Sequence, residues 1–173
     1  AMYQAKLSGK NRFHLFDVQR DAAAKSQNES LQRMRQALSD HEFVLYYQPK
    51  VNMKASRVIG AEALIRWRHP ARGLLAPAQF LPVIEEHPFS IEIGEWVISQ
   101  ALSQMALWNA QGLHVPVSVN VGAHQLQQPG FLGRLSSLLR RHPDLPPGSL
   151  ELEVLETSVL DDLAQIAELM RHC

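Results

Sequence analysis

The chain has 173 residues, 46% hydrophobic and 20% charged, an ordinary globular composition. Its 17 basic residues balance its 17 acidic ones, which excludes a general nucleic-acid surface and leaves no reason to expect DNA as a partner. No run approaches the roughly 18 apolar residues of a transmembrane segment, no signal-peptide pattern opens the chain, and the single cysteine, Cys173, excludes a disulfide framework and points to a reducing cytoplasm. The charge is graded along the chain. Residues 1–90 carry 13 basic against 8 acidic residues, and residues 91–173 carry 4 against 9.

Residues 1–8 are helix-forming, and Gly9 separates them from an alternating stretch at Asn11–Phe16. Residues 18–30, polar and alanine-rich, read as a linker. Ser30 is placed to cap a helix with Leu31, Met34 and Leu38 on one face. Phe43–Pro49 reads as a buried strand ending at Gln48, and Val58–Trp67 as a second. Arg68–Gly73 is turn-rich, and Pro77–Glu85 has the start of a short helix. Gly94 opens the strongest helical repeat, with Val97, Ala101, Met105 and Trp108 on its face, and Gly112 ends it. Val115–Val121 alternates as a strand, Phe131–Leu139 is an amphipathic helix, and Leu150–Glu156 alternates again. Ser158 is placed to cap a last helix. From residue 94 the order is helix, strand, helix, strand, helix, the rhythm of a parallel α/β sheet.

The central stretch is Ala61-Glu62-Ala63-Leu64-Ile65-Arg66-Trp67. In a strand Glu62, Leu64 and Arg66 share one face, while Ala63, Ile65 and Trp67 take the other. A carboxylate that can hold a metal and a guanidinium that can hold a phosphate then line one surface. Polar residues recur where the other strands end: Gln48, Asn120, and Glu153 with Glu156. Two carboxylates and an amide oxygen are hard donors that suit Mg²⁺, Mn²⁺ or Ca²⁺ better than zinc. Each residue also has a plainer role. Glu62 and Arg66 would serve as a solvated ion pair, Asn120 as a turn cap, Gln48 as a strand-end polar group. Glu153 and Glu156 fall on opposite faces of a regular strand, so one of them would be solvated.

Five segments together resemble the EAL-domain family: Tyr47-Gln48-Pro49, Glu62 to Trp67, Pro77 to Pro82, Ser118 to Val121, and Leu152 to Glu156. They stand in the family's order and approximate spacing across residues 31–173. The resemblance implies a modified TIM (β/α)8 barrel whose first strand is antiparallel. It also implies a cyclic di-GMP phosphodiesterase that yields pGpG, needs Mg²⁺ or Mn²⁺, and serves bacterial second-messenger signalling, as a homodimer in the full protein. By resemblance Glu62, Asn120 and Glu153 match metal ligands, and Gln48, Leu64 and Arg66 match substrate contacts, with Arg66 on a phosphate. Glu156 matches the glutamate that holds an active-site loop, and with Glu62 it is assigned to catalysis. Leu155 stands where the family usually has threonine, and His87-Pro88 where it has a small residue and glycine. Residues 1–17 resemble the last helix and closing strand of a GGDEF (diguanylate cyclase) domain, which implies such a domain upstream.

A complete barrel takes about 250 residues, and His41 to Cys173 gives 133, enough for about the first half. The family's Asp-Asp-Phe-Gly motif, expected on the strand after the helix at 159–172, and the lysine, glutamate and glutamine of its later strands do not occur in this span. The expectation is a parent phosphodiesterase whose site these residues alone leave incomplete. The alternative is a degenerate EAL domain that binds cyclic di-GMP or a protein without turnover.

Overall fold

The computed structural model describes residues 18–154. The GGDEF-like tail at 1–17, Glu156 and the helix expected after Ser158 lie outside them.

The first helix, α1, runs Val18–Ser39, so residues 18–30, read as a linker, are helical. Three consecutive alanines at 22–24, with lysine, glutamine and glutamate and no glycine or proline, favour helix through that stretch. Ser30 consequently sits in the helix interior and does not cap it. Its hydroxyl donates to the Ser26 carbonyl at 2.9 Å, the bond a serine makes one turn back. Leu31, Met34 and Ala37 are buried. The helix stops at His41, which takes φ 57°. There Glu42 N–H donates to Ala37 O at 2.9 Å and His41 N–H to Leu38 O at 3.4 Å, a left-handed helix stop.

β1 (Phe43–Asn52) and β2 (Arg57–His69) form an antiparallel hairpin with Phe43 opposite Trp67 and Gln48 opposite Glu62. The register slips between Lys50 and Val51. The turn-rich stretch after Arg68 continues into a three-residue strand, β3 (Gly73–Leu75), which folds back antiparallel on β2. Instead of the short helix expected at 77–85, there are two 3-10 turns, Pro77–Gln79 and Leu81–Val83. Pro82 would fall inside an α-helix continued from Pro77, where it lacks the N–H and its ring clashes with the carbonyl of Ala78, so the first turn does not extend.

α2 runs Phe89–Ala110 and therefore begins five residues before Gly94. Gly94 is an interior position. A Cβ there would land on the side-chain oxygen of Gln125, which is 4% exposed and leans against the helix. Gly112, at φ 78°, ends the helix as expected, with Leu113 N–H donating to Trp108 O at 2.9 Å. β4 (Val117–Val121), the short α3 (Ala123–Leu126), α4 (Phe131–Leu139) and β5 (Leu150–Val154) follow.

The sheet order is β1-β2-β4-β5, with β3 added to β2. β2, β4 and β5 are mutually parallel and β1 is antiparallel. The apolar core lies on one face, where Ala63, Ile65, Trp67, Val117, Val119 and Val121 meet the Phe89, Ile93, Val97, Ala101 and Met105 side of α2. At one end of β2, Trp67, Phe43 and Phe80 pack with ring centroids 5.4 to 5.7 Å apart. That packing fixes which side of β2 faces the helices, and so which side is left for chemistry.

Candidate active site

Strand alternation places Glu62, Leu64 and Arg66 on the face of β2 away from the helices, each half-buried, while Ala63, Ile65 and Trp67 are buried. The hairpin register sets Gln48 directly across from Glu62, Tyr46 across from Leu64, and Val44 across from Arg66. On the other side Glu62 is level with Ser118 of β4, and Asn120 one pleat further on is level with Glu153 of β5. Partners in register point the same way from a sheet. Gln48, Glu62, Asn120 and Glu153 therefore converge on one surface from four adjacent strands.

The contacts agree. Asn120 Nδ2 donates to Glu62 Oε1 at 2.8 Å. Glu153 Oε1 accepts from Lys50 Nζ at 2.6 Å, and the same ammonium donates to Glu151 Oε2 at 3.3 Å. Lys50 lies two residues beyond Gln48 on the same face of β1, opposite Gly60, whose missing side chain leaves room for the lysine stem to cross β2 toward β5. The Lys50 ammonium holds the Glu153 carboxyl below its ordinary range despite partial burial, and Lys50 is itself raised, chiefly by Glu153.

Arg66 and Glu62 do not pair with each other. Four residues of strand separate their Cα atoms by about 13 Å. The Arg66 guanidinium donates to the Ile65 carbonyl at 2.9 Å and lies 6.0 Å from the Tyr46 ring centre. An acid and a cation held this far apart on one face can grip two parts of one substrate.

Nowhere among the described residues do three or more His, Cys, Asp or Glu side chains converge as a metal cage. A donor set of Glu62, Asn120 and Glu153 would use the Asn120 amide oxygen as its third member. Two carboxylates and an amide oxygen fit Mg²⁺ or Mn²⁺. A half-turn of the Asn120 amide exchanges its nitrogen and oxygen beside Glu62.

Lys50 escaped the sequence reading, although its period-two spacing from Gln48 puts it on the functional face. A second group was also missed. Glu42, between α1 and β1, accepts from Trp67 Nε1 at 2.8 Å and from Arg33 Nη2 on both its oxygens, while the Arg33 guanidinium lies 5.3 Å from the Trp67 ring centre. This clamp ties α1 to the strand that carries Glu62 and Arg66. A separate cleft of about 260 Å³, lined by Met105, Leu113, Pro116, Leu145 and Pro147 among others, lies where β4 and β5 begin, away from these side chains. No helix of the described residues is long and apolar enough to cross a membrane.

The sequence profile of the EAL domain matches residues 31–173. The bifunctional diguanylate cyclase/cyclic di-GMP phosphodiesterase MucR of Pseudomonas aeruginosa is 42% identical over 94% of this chain and 24% of its own length. The cyclic di-GMP phosphodiesterase PA2567 of the same organism is 33% identical over 81% of this chain and 24% of its own. The chain thus spans about a quarter of the length of these curated relatives. Among solved structures, the MucR phosphodiesterase in complex with cyclic di-GMP superposes with a TM-score of 0.78 at 39% identity, over 83% of this chain and 58% of that one. The EAL enzyme Bd1971, bound to cAMP and cyclic di-GMP, gives 0.78 at 28% identity, over 99% and 45%. Residues 43–154 accordingly form the opening part of a TIM-like barrel with an antiparallel first strand.

Proposed function

The chain belongs to the EAL-domain family, and we propose that it supplies the front part of a cyclic di-GMP phosphodiesterase site. The observation that carries this reading is the convergence of Glu62, Asn120 and Glu153 from β2, β4 and β5, with Gln48 opposite Glu62 on β1. The same relatives that share this sequence are named as cyclic di-GMP phosphodiesterases.

In this reading Glu62, Asn120 and Glu153 hold Mg²⁺ or Mn²⁺. A bound divalent cation supplies Lewis acidity toward a phosphoryl oxygen and lowers the pKa of water. Arg66 holds a phosphate of the substrate with its planar guanidinium, and Gln48 and Leu64 contact the nucleotide. In hydrolysis the oxygen of water joins phosphorus, one P–O3′ bond breaks, and the proton ends on the 3′ oxygen, which opens the ring to linear pGpG. Glu156, which lies outside the described residues, completes the catalytic assignment by holding a loop of the site. We propose further that the full protein acts in the cytoplasm as a homodimer, and that residues 1–17 end a GGDEF domain joined through residues 18–30 to the EAL domain from residue 31.

The test is incubation of the full-length protein with cyclic di-GMP and Mg²⁺ or Mn²⁺, with products separated by chromatography. The expected product is pGpG, absent without metal and reduced at least a hundredfold in Glu62→Ala. Tight nucleotide binding with no product at saturating metal would overturn the reading.

A further inference from the structure

Lys50 is the one ammonium on the described functional face, and it touches both carboxylates of β5 that point there, Glu153 at 2.6 Å and Glu151 at 3.3 Å. Glu151 and Glu153 stand two residues apart and so share a face, Glu151 one pleat below Glu153 and further from Asn120. Lys50 is about one-third exposed on a flexible four-carbon stem, free to move between neighbouring acceptors. A divalent cation and an ammonium that use the same carboxylate repel each other, and that repulsion is short-range and strong.

We propose that Lys50 is a tethered competitor that sets the affinity of the Glu62–Asn120–Glu153 site for its divalent cation, with Glu151 as the alternative partner that receives the ammonium when Glu153 is given up. The inference rests on the phosphodiesterase reading and deepens it, because it names what limits metal binding at that site. Lys50 contacts no reacting atom in this scheme. It acts through Glu153. Two substitutions should therefore move metal affinity in opposite directions. Lys50→Met removes the competitor and the repulsion. Glu151→Gln removes the charge that draws the ammonium away, and leaves Lys50 fixed on Glu153.

The experiment is titration of the full-length protein with Mn²⁺, free ion read by electron paramagnetic resonance, with folding checked by circular dichroism. Lys50→Met is expected to tighten Mn²⁺ about tenfold, Lys50→Arg to stay within about threefold of wild type, and Glu151→Gln to weaken it about threefold or more. Lys50→Gln carries the same comparison should the Met variant fail to fold. Unchanged or weakened binding in the neutral Lys50 variants would overturn the proposal alone, as would tighter binding in Glu151→Gln. Wild-type protein that takes up no Mn²⁺ would overturn it together with the metal-dependent reading.

Discussion

Glu42→Ala removes the acceptor that joins α1 to β2. Trp67 is 5% exposed, and its indole N–H donates only to Glu42 among the described residues, so truncation strands a buried donor at a cost of about 1–3 kcal/mol. The Arg33–Glu42 ion pair adds less. Its side chains are 31% and 16% exposed, and solvent screening limits such a pair to about 1 kcal/mol or below. The expected loss is about 2–3 kcal/mol in urea denaturation at pH 7. Glu42→Gln keeps one acceptor oxygen and loses the charge, and should cost about 1 kcal/mol. The pH dependence has a definite sign. Burial pushes the Glu42 carboxyl up, but the Trp67 indole and the Arg33 guanidinium outweigh it and hold the group below its ordinary 4.5. A lowered folded-state value means the contribution is fully present above pH 4.5 and fades as pH falls through the folded value. The gap between wild type and Glu42→Gln should therefore close below pH 4.5. A Glu42→Ala protein within 0.5 kcal/mol of wild type, or a Gln variant as unstable as the Ala variant, would refute the clamp.

Gly94→Ala should destabilise by about 1–3 kcal/mol, because the new methyl meets the buried Gln125 side chain, although alanine otherwise favours helix over glycine by about 1 kcal/mol. Adding Gln125→Ala should recover part of the loss, and thermal melts of the two variants and the pair check this coupling. His41→Gly should raise stability by about 1 kcal/mol, since His41 holds φ 57° at the end of α1 and glycine takes that conformation without a Cβ penalty. An unchanged or lower urea midpoint would contradict it.

What sequence alone made legible follows from short periods. Alternation along β2 separates Glu62, Leu64 and Arg66 from Ala63, Ile65 and Trp67, and both faces stand as expected because Trp67 and Ile65 have a core to enter. The same rule carries Asn120 and Glu153 to one surface. Contacts distant in sequence were not legible. Gly94 reads as a helix start because glycine breaks helices, and the reason it lies inside one is Gln125, 31 residues later. Residues 18–30 read as a linker from their polar, alanine-rich composition, and their helical form follows from the intrinsic preference of alanine and long polar side chains. Lys50 shares a face with Gln48 by simple counting. Its meeting with Glu153, 103 residues on, depends on which strands become neighbours and on the room left over Gly60. The antiparallel first strand came from family resemblance, since no local pattern distinguishes strand direction.

The proposed cation site is tested most directly by diffraction from crystals of the full-length protein grown with Mn²⁺, collected at the manganese absorption edge. The expected result is a strong anomalous peak about 2.1 Å from an oxygen of each of Glu62, Asn120 and Glu153. Anomalous peaks that touch none of the three, with Asn120 still donating to Glu62, would contradict it.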